Sequence, residues 1–208
     1  MNPTDESMVR DGSVQTTMGD PKGARRLLYQ KLGWCMIRLQ QIEWCMKWLA
    51  SRTEFEVHAG VLTEQLERHE ARISKQTLGS VTEVVSAGLL KPLDWEPPDD
   101  DVDGPSRAKV RLGMAVGLED DHLESVRSRM KDLVAGRNTL VHGLIASHDI
   151  WSDEGCAAAE TYVDETLSLA GAVLTELRSW TSNLEDLARI AASSEFDSIL
   201  VDPPGPGT

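Results

Sequence analysis

Between Ala24 and Ser51 the apolar residues Leu28, Leu32, Cys35, Leu39, Ile42, Met46 and Leu49 recur in alternating steps of four and three. That spacing is the seam of a helix packed along its length. Trp34, Ile37, Trp44 and Trp48 fall on the opposite face. A helix that is apolar on two sides has to be covered on two sides. The pattern therefore predicts a helix over 24–51 with one face in a bundle core and the other as a candidate subunit interface.

Further along, Val61, Leu62, Leu66 and Ile73 make a modest amphipathic helix whose outer face carries Glu64, Glu67, Arg68, Glu70 and Arg72. Val81, Val84, Val85, Leu89 and Leu90 make another short one. Residues 91–106 hold Pro92, Pro97, Pro98, Pro105 and an acid cluster, which predicts a loop. A helix over 119–145 opens on Glu119-Asp120-Asp121, acids suited to a helix N-terminus. Its expected buried stripe is Leu123, Val126, Met130, Leu133, Val134, Leu140, Val141, Leu144 and Ile145, and Gly136 and Gly143 are positions for a kink. The last helix, over 157–191, repeats Val163, Leu167, Ala170, Leu174, Leu177, Thr181, Leu184 and Ala188 in four-three steps. The fold class is all-α: an antiparallel bundle of four main helices plus short extra ones. Residues 1–23 and 194–208 are read as flexible tails, the second acidic, flanking one helical domain over 24–193.

The net charge of −13 argues against a nucleic-acid binder only until it is located. Residues 1–23, 94–105 and 194–208 carry −2, −6 and −3, so the rest of the chain is close to neutral at about −2. A long phosphate-tracking groove is thereby disfavoured, whereas a small local anion site is not. Cys35, Cys45 and Cys156 show no metal-type or redox-type spacing, and read as buried free thiols of a reducing compartment. The polar N-terminus predicts no signal peptide, and no apolar run reaches membrane-span length. The expectation is a cytoplasmic protein without membrane contact.

One segment carries pointed chemistry. At about 100° per residue, Arg137 lands within the stripe of the 119–145 helix, and Asn138 and His142, four apart, share a face at its edge. A guanidinium aimed into an apolar stripe is costly unless an acid pairs with it or a ligand anion completes it. Glu43, at the edge of the first helix's seam, is the acid expected beside Arg137.

The run Gly136-Arg137-Asn138-Thr139-Leu140-Val141-His142-Gly143 resembles the signature of the HEPN superfamily, helical proteins that include RNases and toxins of bacterial toxin–antitoxin and defence systems. Arg137, Asn138 and His142 fit its pattern of Arg, often Asn, a short spacer and His, and the helical layout over roughly 24–191 agrees. One family variant has Tyr two residues after the His, where this chain has Leu144, so that variant is not assigned. The resemblance implies a metal-independent endoribonuclease acting in a toxin or phage-defence role. It also implies a homodimer with a composite site, an RNA substrate and an inhibitory protein partner, with no cofactor.

The chemistry is sensible on its own terms. An imidazole with an ordinary pKa of about 6.5 can serve as base or acid near neutrality. A guanidinium can hold charge on phosphoryl oxygens through two hydrogen bonds, and Asn138 can hold the imidazole or the phosphate. One histidine cannot easily be both base and acid in a concerted step, but two copies across a two-fold axis can. Two other readings use the same residues: an Arg–Glu pair between helices that is purely structural, and a non-catalytic helical module that binds a nucleotide, an RNA or a protein. The spacing of His142, His148 and Asp149 matches no standard metal site, and the tryptophans read as packing rather than as a base-stacking platform.

Overall fold

The computed structural model describes residues 21–53, 55–58, 62–96 and 109–191. The expected tails, apart from residues 21–23, and the 97–106 part of the expected loop lie outside the described residues. Mostly helical, the described chain runs α1 (Pro21–Ala50), β1 (Phe55–His58), α2 (Leu62–Ser74), α3 (Leu78–Val84), β2 (Leu90–Pro92), β3 (Lys109–Leu112), β4 (Val116–Leu118), α4 (Asp120–Asn138), α5 (Leu144–Ser147) and α6 (Asp153–Ala191). Two π-helical turns interrupt this order, Val85–Leu89 after α3 and Thr139–Gly143 between α4 and α5. No helix among the described residues is long and apolar enough to cross a membrane.

The core follows the four-three seams. Leu28, Cys35, Leu39, Ile42, Met46 and Leu49 of α1 are buried with Val163, Ala170, Leu174, Leu177 and Leu184 of α6. α1 starts at Pro21 rather than Ala24, because proline lacks only an N–H that the first helical turn leaves unused. At its other end, the side chains of Ser51, Arg52 and Thr53 reach back to the carbonyls of Trp48 and Ala50, satisfying groups the helix leaves open.

Helix directions depart from the all-antiparallel expectation. Lys31 of α1 bonds Glu160 and Asp164 of α6 at 2.5 and 2.6 Å, while farther along Ile37, Trp44 and Cys45 line a groove with Arg178 and Glu185. Residue numbers rise together on the two helices, so α1 and α6 lie parallel. α4 runs against them: Arg129 bonds Glu176 at 2.6 Å and Gly136 abuts Thr166. Parallel neighbours need a long crossover, and here it is everything from β1 to α5.

That crossover contains short strands which periodicity did not predict. β1 pairs antiparallel with β3, Phe55 opposite Leu112, and β2 pairs parallel with β4, Leu90 opposite Val116. Lys91 and Pro92, expected to be loop, are therefore strand.

Candidate functional site

The π-helical turn falls on the segment the sequence singled out. Arg137 and Asn138 close α4, Thr139–Gly143 form the wide turn, and His142 sits inside it. In a regular α-helix, residues five apart are separated by roughly 140° around the axis, on nearly opposite faces. An i→i+5 turn accommodates one more residue than an α turn, which lowers the advance per residue. The turn thus swings His142 toward the side of the helix that carries Arg137.

Burial revises the expected stripe. Gly136, not Arg137, occupies its centre. A Cβ there would lie 3.2 Å from Thr166 Cγ2, so the glycine sets the approach of α4 to α6. Arg137 lies beside it, half-buried, and its Nη1 donates to Asn138 Oδ1 at 3.2 Å. Past the turn the phase has shifted. Leu140 and Leu144 stay buried, but Val141 and Ile145, expected inside, are 41% and 71% exposed. Asn138 and His142 are exposed with them.

Glu43 does not join this group. Its carboxylate accepts from Lys47 Nζ at 2.7 Å, one turn along α1, and no ion pair links it to Arg137 among the described residues. Arg137 has no carboxylate partner there at all. The structure thus joins Arg137 to Asn138, leaves His142 exposed in the adjoining turn, and leaves Glu43 out. Reasoning from sequence also passed over Gly136, Val141 and Ile145 as parts of that segment. The two glycines flanking the motif were the signal available.

The segment is bounded by ordinary structure. His148 lies against Tyr162, ring centroids 5.9 Å apart and tilted by 41°. Cys156 is buried, donating to the carbonyl of Ile150 at 2.9 Å. Among the described residues no three His, Cys, Asp or Glu side chains are grouped to hold a metal.

Arg52 and His58, six residues apart, are the other Arg–His pair at close to the same spacing. Arg52 is spent on the end of α1, stacked 3.8 Å over the Trp48 ring, and burial lowers its pKa from the usual value, partly offset by Glu70 and Glu185.

Comparison of the chain with protein-family models, with curated proteins and with solved structures finds no match.

Proposed function

We propose that the protein is a metal-independent endoribonuclease of HEPN type, with Arg137, Asn138 and His142 as its working residues. The observation that supports this reading is the π-helical turn at Thr139–Gly143, which carries an exposed imidazole five residues beyond an arginine that has no acid partner among the described residues. π turns inside α-helices concentrate at functional sites, and a purely structural Arg–Glu pair is the arrangement this arginine lacks.

In the proposed reaction the ribose 2′-hydroxyl attacks the adjacent phosphorus and the 5′-oxygen leaves. His142 takes the 2′ proton or returns one to the leaving oxygen. Arg137 holds the charge gathering on the phosphoryl oxygens, and its bond to Asn138 orients the guanidinium. A second copy supplies the second imidazole, meeting the first across the exposed Val141 and Ile145 beside His142. A toxin or defence role under an inhibitory partner fits such an activity, and the expected setting is the cytoplasm.

The test is cleavage of RNA by the purified protein in EDTA. Products should carry 2′,3′-cyclic phosphate and 5′-hydroxyl ends, and DNA, lacking the nucleophile, should be inert. 5′-Phosphate ends, or cleavage undiminished in His142→Ala, would sink the mechanism. Intact RNA combined with saturable RNA or nucleotide binding would favour the non-catalytic module.

A further inference from the structure

The second apolar face of α1 remains open in the folded chain. Trp34, Ile37 and Trp44 are 56%, 56% and 65% exposed. Ile37 and Trp44 also form one wall of a groove of about 550 Å³ between α1 and α6, with Cys45 on its floor and Arg178, Ser182 and Glu185 along the other wall. Arg178 and Glu185 are seven residues apart, two turns on one face, or roughly 10 Å along the axis. Among the described residues neither makes a hydrogen bond or ion pair, although both are exposed at the groove.

One positive and one negative charge on one face, neither hydrogen-bonded among the described residues although Arg52 acts on Glu185 through space, and evenly placed about Thr181 and Ser182, are complementary to their own image under a two-fold rotation. In such an interface the same patch is used by both copies, so a contact from i to j recurs from j to i. We infer that this groove is an interface with a second copy of the chain, α6 packing antiparallel on its counterpart with Arg178 of each copy against Glu185 of the other. Trp34, Ile37 and Trp44 supply roughly 400 Å² of apolar surface per copy, about half of the ~800 Å² a standard interface takes from each partner. The polar rim, including Gln40 and Gln41, supplies the remainder.

This interface stands apart from the corner around His142. Gly136 is level with Thr166 on α6, more than ten residues from the groove's centre, and α4 leads away from it toward the start of α6. A two-fold axis at the groove therefore keeps the two His142 side chains far apart. The inference holds whether or not RNA is cut.

The experiment is charge reversal read by light scattering on the full chain. Arg178→Glu and Glu185→Arg should each weaken self-association at least about tenfold, with circular dichroism unchanged because both positions are exposed. Mixed one to one, the two variants should form a heterodimer, since each copy then offers the charge the other needs. The double variant should associate like wild type. Ile145→Glu, on the other candidate surface, should leave this contact intact. A wild type that is monomeric at about 100 µM overturns the inference. So does association indifferent to either reversal, or single variants that weaken without recovering on mixing. RNA cleavage, measured in parallel, reports on His142 and not on this surface.

Discussion

Gly136 and Thr166 meet so closely that the absent Cβ of the glycine would lie 3.2 Å from the threonine methyl. Thr166 cannot easily turn away, because its hydroxyl donates to the Tyr162 carbonyl at 2.9 Å and fixes its rotamer. Alanine at 136 gains about 0.8–1 kcal/mol in helix propensity, yet forces α4 off α6. Gly136→Ala is expected to lower stability by about 1 kcal/mol net in urea titration, as overpacking does. Adding Thr166→Ser, which removes the methyl, should restore it. A stabilised Gly136→Ala would show that the helices have room to part.

The π turn is a one-residue surplus, and surplus can be removed. Deleting the exposed Val141 should let α4 and α5 merge into continuous α-helix while Leu144 keeps its buried phase. The expected cost is below about 2 kcal/mol. Deleting Asp132, exposed in the regular part of α4, rotates everything downstream by about 100° and should cost several kcal/mol or prevent folding. Equal losses from the two deletions would contradict the reading of the turn as an insertion.

Substitutions at the corner should separate working residues from bystanders. Arg137→Ala and His142→Ala should each reduce RNA cleavage at least about a hundredfold with helicity retained. Arg137→Lys should be nearly as poor, because an ammonium lacks the planar fork, and Asn138→Ala should lose less. Glu43→Ala should cleave like wild type, since that carboxylate serves Lys47. Total-RNA integrity in cells expressing each variant gives the same ranking without purification.

How far these features could be read beforehand depends on the kind of signal each leaves. The α1 and α6 seams are legible because a long helix in a core repeats its apolar contacts every three or four residues, from Leu28 to Leu49 and Val163 to Leu184. The same periodicity misplaced Val141 and Ile145, since a wide turn changes the phase without changing composition. Glu43 reads as the partner of Arg137 from its place at the edge of the α1 seam and the cost of an unpaired guanidinium, although Lys47 stands four residues away at ordinary helix pairing distance. Strands of three or four residues, as at Phe55–His58 and Leu90–Pro92, are too short to show a period. The parallel course of α1 and α6 leaves no trace in either helix's own pattern. The Arg137–His142 motif was visible in the sequence; the turn that gives its spacing a geometry was not.

Alkaline pH should weaken the fold through Cys35. Burial pushes its thiol up to about 11, against 9.0 for the unperturbed group. The folded state holds that proton after the unfolded state has released it, so the contribution is complete below about pH 9 and is lost as pH rises toward 11. Melting temperature should fall over that window, and Cys35→Ala should flatten the fall relative to wild type. A thiol reagent at pH 8 should react with native protein far more slowly than with protein in denaturant, because the thiolate is scarce and covered. Rapid stoichiometric labelling of the native chain would count against this burial.

The parallel pairing of α1 with α6 also sets a timetable for synthesis. The Lys31–Glu160 bond joins residues 129 apart in the chain, and at about 5–20 residues per second α1 leaves the ribosome roughly 6–26 s before the helix that covers it. Through that interval the α1 face that α6 covers lies open, with the earlier α3, whose Thr82 donates to Met46 Sδ, packed beside it. Slow-translating codons placed between residues 60 and 150 would lengthen the exposure, and the soluble yield of such a gene should depend on chaperones that hold nascent apolar helices.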